Sequence, residues 1–371
     1  MLPGLVNAHD HLQYALHPRL GHPPYKNYVE WGDDIHATLQ SLISHHNSVP
    51  RDVRLWWGGI RNLLCGVTTV CHHDPFWPPL DSEDYPINVL RDYRWAHSVA
   101  LSPGIHEGWS GTQDRHAFFI HACEGIDELA RKELAELEKL GMLDARTVIV
   151  HGLALDPPGI ALLRMRQASL IICLSSNQFL YERLPDMKEL STIGKIAIGN
   201  DSPLTAAGDL LDEVRFAIEN ASVSTEKAYR MITDLPAAIL RLSNGEGHIG
   251  ESACADFIAV RDNGALPHER LLNLSWRDIE FVMVAGQVQL ASEDVWRLLP
   301  HRIRRGMEPL WIDGSVRWLR APVRYLMQKA EGVLGVGMVR LGQRVVQLVD
   351  SVIPGIPSAD YQVKHRLEER P

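Results

Sequence analysis

The chain has 371 residues and a mass of 41.7 kDa, which is enough for one barrel-sized domain or two smaller ones. Hydrophobic residues make up 45% and charged residues 22% of the chain, and this composition excludes intrinsic disorder. The net charge of −9 argues against a nucleic-acid-binding protein, which would carry a basic excess.

The cysteines and the apolar runs bear on the cellular compartment. The five cysteines are odd in number, widely spaced and mostly inside apolar runs, which favours reduced core thiols. No apolar stretch reaches the roughly 18 residues of a membrane-spanning helix, and the N-terminus lacks a charged-then-apolar secretion pattern. We therefore predict a cytoplasmic protein that acts on a small molecule, without nucleic acid and without a membrane span.

Seven short apolar runs alternate with longer segments of helical periodicity. Runs that are apolar throughout are typical of strands buried on both faces of a parallel sheet. Between two of them, leucines and alanines recur at helical spacing from Ile126 to Leu140, and Gly141 follows as a stop signal. In chain order the runs are LVNAH, TTVCHHD, HSVALS, FFIHA, TVIVHG, SLIICLSS and KIAIGND.

This alternation predicts an α/β fold of the TIM-type (β/α) barrel class over residues 1–245. A doubly wound sheet is the structural rival, but no glycine-rich GxGxxG turn follows any of the runs. Residues 102–117 suffice for only one crossover. One of the expected eight strands is therefore predicted to be absent or distorted.

The pattern changes after residue 245. Residues 246–295 contain isolated strand patterns with turn residues, GESACADFIAVRD and EFVMVAGQVQLAS, and predict a partial β-sandwich segment. Residues 296–371 are rich in arginine interleaved with apolar residues and predict a helical extension. The favoured use of this extension is to cover the barrel or to form a subunit contact in a homo-oligomer, and the alternative is peripheral contact with a membrane surface or an acidic partner.

Polar side chains stand where several of the predicted strands end. His9 and His11 point to the same side of a strand because side chains alternate with a period of two, although an HxH pair alone is a weak signal. His121, His151 and Asp201 each close another predicted strand. Imidazoles and carboxylates gathered at one barrel rim are the ligands of zinc or ferrous iron.

The ordered set PGLVNAHDH, GVTTV, FIHACEG, VIVHG, LSSN and GNDS resembles the amidohydrolase superfamily, most closely its cytosine deaminase and chlorohydrolase branch. The resemblance covers roughly residues 1–290. It implies one divalent metal ion, zinc or alternatively iron, and its ligands would be His9, His11, His121 and Asp201.

The resemblance also implies catalytic roles. In that branch the glutamate matching Glu124 moves a proton to the substrate, the histidine matching His151 lies beside the bound water or developing oxyanion, and Asp201 could accept a proton. A structural alternative for Glu124 is a first-turn carboxylate that interacts with the helix dipole. His151 could instead be a neutral histidine bonded to the backbone.

Other polar residues are candidate substrate contacts. Asn177 could bind substrate or cap a loop, and His72 and His73 could line the pocket or make structural hydrogen bonds. The stretch that follows the first predicted strand contains His17, Tyr28 and Trp31 and is expected to cover the barrel mouth.

Two departures from the family pattern limit what the resemblance implies. No lysine occurs between Lys26 and Lys132, so the carbamylated lysine that bridges two ions in binuclear members has no obvious counterpart, and one metal ion is the simpler prediction. Met1 stands eight positions before His9, whereas family members carry a longer segment there. Either the start is truncated or the sandwich is reduced, leaving edges that need cover.

The predicted function is hydrolysis of a carbon–nitrogen bond by metal-bound hydroxide, with deamination of a cyclic amidine or nucleobase-like substrate as the specific expectation. Amidase or chlorohydrolase chemistry at the same site is the first alternative. The second alternative is a non-catalytic binding protein on a truncated amidohydrolase scaffold.

Overall fold

The computed structural model describes residues 1–102 and 105–351. The strands of these residues are β1 Leu2–Pro3, β2 Leu5–Asp10, β3 Val67–His72, β4 Asn88–Val89, β5 Tyr93–Ser98, β6 Ala117–Ala122, β7 Thr147–His151, β8 Ser169–Ile172, β9 Ile196–Ile198, β10 Phe257–Val260, β11 Ile279–Val284, β12 Gln287–Ser292, β13 Glu308–Ile312, β14 Ser315–Leu319, β15 Arg340–Leu341 and β16 Arg344–Leu348. The helices are α1 Tyr28–Thr38, α2 Gln40–Asn47, α3 Arg51–Leu64, α4 Ile105–Ser110, α5 Glu128–Lys139, α6 Pro157–Arg166, α7 Leu174–Tyr181, α8 Met187–Leu190, α9 Leu210–Asn220, α10 Thr225–Arg230, α11 Asp234–Ile239, α12 Pro267–Leu272, α13 Glu293–Leu298, α14 His301–Arg304 and α15 Val323–Leu334.

Parallel strands with helices between them form the first and larger part of the molecule. One sheet has the order β2-β3-β4 and the other the order β5-β6-β7-β8-β9. Only residues 90–92 separate β4 from β5, so these two consecutive strands, one in each sheet, link the two sheets. The predicted alternation of parallel strands and helices is confirmed, and every residue of β2, β3, β6 and β7 is buried.

Helix α5 illustrates why these residues form these elements. Its N-cap residue Asp127 accepts a hydrogen bond from the Ala130 backbone N–H at 3.2 Å, and this satisfies a free donor of the first turn. The chain leaves the helix at Leu140 and Gly141, where Gly141 has φ +69°. The helix predicted from Ile126 to Leu140 is confirmed within two residues at its start.

Strand β9, the last strand of the five-stranded sheet, lies against β2, the first strand of the three-stranded sheet. The Asn200 backbone N–H donates to the His9 carbonyl oxygen at 3.0 Å, and Asp10 and Asp201 form a parallel bridge. A Cβ atom at Gly199 would stand 2.6 Å from the Cβ of His9, a contact that side chains do not tolerate. Glycine at this position therefore lets β9 bring Asp201 beside the histidines of β2.

A buried ion pair holds β2 from behind. Arg61 of α3 donates through Nη2 to Asp10 Oδ2 at 2.7 Å, and both side chains are almost completely buried. The Asn62 amide donates to the same oxygen at 2.8 Å. Because Asp10 lies between His9 and His11 and points away from them, these contacts fix the backbone that presents both imidazoles.

The remaining strands form one antiparallel sheet with the order β1-β10-β11-β12-β14-β13-β16-β15. The strand patterns predicted within residues 246–295 are confirmed as β10, β11 and β12. The N-terminal β1 belongs to this sheet as well, because Leu2 pairs with Ile258 and Pro3 with Phe257.

The prediction of a helical extension is wrong for the described part of residues 296–371. This part contains β13, β14, β15 and β16 together with α13, α14 and α15, and it continues the antiparallel sheet. Asp313 and Gly314, with φ of 41° and 88°, form the two-residue turn between β13 and β14. An Asp-Gly pair between short apolar runs is a hairpin signal that the arginine content obscured. The rest of the predicted extension, residues 352–371, lies outside the described residues.

None of the described helices combines the length and the apolar character needed to cross a membrane.

Candidate metal centre and its cavity

Three imidazoles converge at the ends of β2 and β6. One ring nitrogen from each of His9, His11 and His121 lies within 4.8 Å of the other two, and the Nε2 atoms of His9 and His121 are 3.2 Å apart. Asp201 Oδ1 is 3.6 Å from Nε2 of both His9 and His11. Tetrahedral zinc ligands at about 2.0 Å from the ion stand about 3.3 Å from each other, so this spacing fits one cation.

In His11 and His121, the ring nitrogen that faces away from the cluster, Nδ1, makes a hydrogen bond. His11 donates through Nδ1–H to Asp74 Oδ2 at 2.7 Å, and His121 donates through Nδ1–H to the His97 carbonyl oxygen at 2.5 Å. A neutral imidazole carries one proton, so these bonds leave the Nε2 lone pairs of His11 and His121 free. Outer partners of this kind commonly orient metal-binding histidines.

The tautomer of His9 follows from its contact with His73. His73 donates through Nε2–H to the Ala96 carbonyl oxygen at 3.0 Å, which leaves its Nδ1 as an acceptor. His73 Nδ1 is 3.2 Å from His9 Nδ1, so His9 is the donor there and its Nε2 carries a lone pair. When all three rings are neutral, their Nε2 lone pairs therefore face one another, an arrangement that a cation would stabilise.

Burial and charge set the protonation of the cluster. Burial lowers the pKa of His9 to about 4, and burial also holds the pKa of His121 well below its usual range. Burial acts in the same direction on His11, but the Asp74 carboxylate outweighs it and raises the pKa of His11 to about 9. Without a cation, Nε2 of His11 therefore holds a proton near neutral pH, and a bound cation would replace that proton. Burial opposes ionisation of Asp201, yet the neighbouring histidines His9, His151 and His11 keep its pKa well below the usual range.

Glu124 and His151 form a second pair beside the first cluster. His151 Nε2 is 3.6 Å from Glu124 Oε2, and Tyr181 donates its hydroxyl proton to Glu124 Oε1 at 2.9 Å. Burial raises the pKa of Glu124 above its ordinary value. His151 has φ of +75° and Asp201 has φ of +56°. These conformations are costly for residues other than glycine and occur most often at functional sites.

The predicted substrate contacts lie behind the cluster. Asn177 Oδ1 is 3.1 Å from His151 Nδ1, and Asn177 lies in α7 rather than at a strand end. His73 contacts His9 as described, and His72 Nδ1 accepts from the Leu12 backbone N–H at 3.3 Å. None of these three residues is among those that line the adjoining cavity.

Four further side chains or groups of the site were not found from the sequence. Asp74 and the His97 carbonyl orient the histidine ligands, and Tyr181 binds Glu124. The Cys173 sulfur and one ring nitrogen each of His9 and His151 lie within 4.8 Å of one another. Burial raises the pKa of Cys173 well above its usual range, which makes it a poor ligand because metals bind the thiolate. Only Asp74 had a sequence signal, since it ends TTVCHHD.

One cavity of about 290 Å³ joins these groups to solvent. His11, His121, Glu124, His151, Asp201 and Asp74 line its inner end. The other walls come from residues 14–47, which we name the cover, from Leu101, Leu180 and Leu204, and from the polar residues His97, Ser202 and Thr205. The site therefore combines a polar inner end with a largely apolar wall, as small-molecule sites do.

Comparison with known proteins identifies the family to which the chain belongs. The family model described as the amidohydrolase family matches residues 99–289, which is about half of the chain. The chain belongs to this family.

The individual relatives are distant. A 5-methylthioadenosine/S-adenosylhomocysteine deaminase from Haloarcula marismortui is 28% identical over 205 residues, which cover 49% of this chain and 48% of the relative. The similarity thus spans about half of the relative's length.

Solved structures share the fold at lower identity. An adenosine deaminase from Xanthomonas campestris with bound zinc has a TM-score of 0.63 at 18% identity, covering 89% of this chain and 84% of that one. The zinc-complexed atrazine chlorohydrolase of Arthrobacter aurescens has a TM-score of 0.57 at 17% identity, covering 78% and 83%. These likenesses concern the fold.

Proposed function

We propose that the protein hydrolyses a carbon–nitrogen bond with the help of one divalent cation, and that its reaction is the deamination of an aminated heterocycle. The observation that carries the proposal is the set of three Nε2 lone pairs of His9, His11 and His121 facing Asp201, next to the Glu124–His151 pair. A purely structural cluster would have no need of a buried carboxyl group at proton-transfer distance from it.

The proposed scaffold is a barrel of parallel strands in which β4 and β5 are two halves of one bent strand. On this interpretation seven strands complete the ring through the contact of β9 with β2. The ligands would then all stand at the C-terminal rim, where barrel enzymes bind their substrates.

The residues that would hold the cation are His9, His11, His121 and Asp201, and three imidazoles with one carboxylate suit zinc, with ferrous iron as the alternative. When bound, such an ion supplies Lewis acidity and lowers the pKa of water toward neutrality. One ion is proposed because the described ligands converge on one point.

Glu124 is the proposed proton carrier. Its burial raises its pKa, so the side chain can hold a proton closer to neutral pH than an ordinary glutamate. The Tyr181 hydroxyl, 2.9 Å from Oε1, fixes the carboxyl group and leaves Oε2 directed toward His151. Glu124 would take a proton from the attacking water and give it to the departing nitrogen.

His151 is proposed to stabilise the oxygen that forms at the reacting carbon of the substrate. Its Nδ1 donates to Asn177 Oδ1, and its Nε2 lies at the cavity, 3.6 Å from Glu124 Oε2. A proton shared with Glu124 would let this nitrogen stabilise the oxygen that becomes negative as water adds. Asn177 acts through His151 as a positioning residue.

The choice of deamination rests on the names of the relatives together with the cavity. A deaminase matches half of the chain at 28% identity, and apolar walls around a polar end suit a flat ring whose amino group points inward. Chloride or an amide nitrogen as leaving group would use the same residues and is an outcome of the test.

The test is an ammonia assay with zinc-loaded protein on a panel of aminated purines, pyrimidines and triazines, with chlorinated rings and simple amides in parallel. We expect ammonia from at least one aminated ring. Release of chloride or an amide product alone would replace deamination by that chemistry.

The Glu124→Gln variant distinguishes an enzyme from a binding protein. We expect it to keep its metal and to lose turnover by a factor of about 100 to 10,000, the usual contribution of general acid–base catalysis. The matched control is Glu128→Gln, which alters an exposed glutamate of α5 that pairs with Arg131 and should leave turnover unchanged. Wild-type protein without turnover, metal or sensitivity to chelator would favour the binding protein. Homo-oligomerisation and a cytoplasmic location stay predictions.

A further inference from the structure

We infer that His17 forms a second polar subsite of the cavity, which recognises an uncharged hydrogen-bonding group on the substrate and disfavours anionic groups. This inference rests on the proposed function for the reacting end of the substrate. It adds a requirement for the substrate's opposite end.

His17 is a buried polar side chain without a hydrogen bond. Its exposed fraction is 5%, and neither Nδ1 nor Nε2 has a hydrogen-bond partner among the described residues. Asn47 and the Tyr14 backbone lie close enough to act on the pKa of His17, yet neither forms a hydrogen bond with its ring. The side chain nevertheless lines the cavity. Since buried polar groups almost always find partners, a ligand group in the cavity is the natural one.

The position of His17 separates it from the metal cluster. The Tyr14 ring centroid is 6.2 Å from that of His11 and 5.3 Å from that of His17, so Tyr14 stands between the two histidines. The exposed residues His36 and Asn47 also line the cavity and mark its mouth. A substrate with its reacting carbon at the cluster would therefore bring its substituent toward His17.

The chemistry of the subsite is that of a neutral ring. Burial lowers the pKa of His17 to about 3, so the imidazole offers one donor and one acceptor without charge. A hydroxyl or amide group matches both. Arg54, the nearest cation, is occupied with the carbonyl oxygens of Val49 and Gln13 and is not among the lining residues.

The charged side chains of the cavity wall explain why anionic groups on the substrate are disfavoured. Asp74, Glu124 and Asp201 line the cavity, whereas no lysine or arginine is found among its described lining residues. A phosphate or carboxylate on the substituent would lose its hydration without gaining a cationic partner. An uncharged substituent avoids this penalty.

The experiment measures binding by calorimetry to full-length, zinc-loaded Glu124→Gln protein, which separates affinity from turnover. The probes are adenosine, 2′,3′-dideoxyadenosine and adenosine 5′-monophosphate. We expect adenosine to bind about tenfold more tightly than the dideoxy compound, as one or two neutral hydrogen bonds imply, and at least about tenfold more tightly than the monophosphate.

The His17→Leu substitution, added to the same background, should bring the adenosine-to-dideoxyadenosine affinity ratio to about one, and His17→Gln should retain most of it. His45→Leu is the matched control, because His45 is an exposed histidine of α2 outside the cavity wall and should leave the ratio unchanged. Zinc content and melting temperature are measured for each variant. If His17→Leu does not fold, His17→Phe, which also lacks a hydrogen-bonding group, carries the test and should bring the ratio to about one.

A ratio that is unaffected in the folded apolar variant of His17, or a monophosphate that binds as tightly as adenosine, would overturn the subsite. If no probe binds while unsubstituted aminated rings release ammonia, the subsite falls and the proposed function stands. If the binding ratios are as expected but no amine releases ammonia, the subsite stands and the proposed deamination falls. If no probe binds and no ammonia is released, both the subsite and the proposed function are rejected.

Discussion

The two sides of the cavity are built in opposite ways. At the inner end each functional side chain is held by at least one further polar group, as with His11 and Asp74 or His9 and His73. Helix α2 has no buried residue, and the cover is anchored instead through residues 20–28, for example by the Leu20 and Tyr25 N–H groups, which donate to the Leu204 and Leu180 carbonyl oxygens. Its anchors include the backbone bridge between Asn27 and Gly125 and the Tyr28–Glu133 hydrogen bond.

This difference separates chemistry from selectivity. A reacting centre must be held to a fraction of an ångström, which requires side chains whose orientation is set by several contacts. An exposed surface segment such as α2 tolerates substitution more readily. Changes at the inner end should therefore abolish the reaction, while changes in the cover should alter stability or substrate preference.

Removal of the cation should have the largest effect. Treatment with a chelator, or the substitution His121→Ala, is expected to reduce kcat/KM by more than about a thousandfold, because a catalytic metal contributes several kcal/mol to the transition state. Zinc should restore the chelated wild type but not the variant. The control His22→Ala changes an exposed histidine bonded to Asp34 and should retain activity. Full activity of chelated, metal-free protein would contradict the proposed centre.

Loss of an outer partner should come next. The substitution Asp74→Ala removes the acceptor of His11 Nδ1–H and is expected to weaken zinc binding by about 10- to 100-fold. Competition with a metal indicator dye measures this. Asp81→Ala is a suitable control, since Asp81 is an exposed carboxylate paired with Arg91. Equal zinc affinity in both variants would show that Asp74 does not orient His11.

A smaller effect is expected at Tyr181. Its hydroxyl donates to Glu124 and thereby lowers the pKa of that carboxyl against the larger effect of burial. Tyr181→Phe should raise the pKa of Glu124 further, so the acidic limb of the kcat/KM profile should move to higher pH. The profile from pH 4 to 8 measures the shift. A limb at unchanged pH, with zinc content intact, would remove Glu124 as the group responsible.

The smallest effect concerns the anchor of the cover. Burial raises the pKa of Glu133 from 4.5 to about 7, so the folded protein binds more protons than the unfolded chain between these values. Its free energy of unfolding should therefore fall as pH rises from about 4.5 to about 7, by roughly 1–3 kcal/mol from this group.

Glu133→Gln should flatten this dependence in denaturant titrations, with zinc affinity unchanged. The exposed Glu136→Gln of the same helix serves as control. An equally steep pH dependence in Glu133→Gln would assign the titration to another group, such as Glu213, whose pKa burial also raises to about 7.

The sequence by itself determined the buried parallel strands, the course of α5 and the residue types at the strand ends. Apolar runs and helical spacing are local signals, and they set which segments are buried whatever the rest of the chain does. The positions of His9, His11, His121 and Asp201 followed from where those runs stop. The carbonyl of His97 carried no such signal, because any residue offers one.

Only the tertiary structure decided the rest. The antiparallel course of residues 308–348 depends on pairing with β12, and long-range pairing overrides local composition. The tautomers of the three imidazoles depend on partners up to 64 positions away in sequence, as with His9 and His73. Likewise, the empty hydrogen-bonding capacity of His17 is visible only once the chain has closed around it, because satisfaction of a polar group is a property of its neighbours in space.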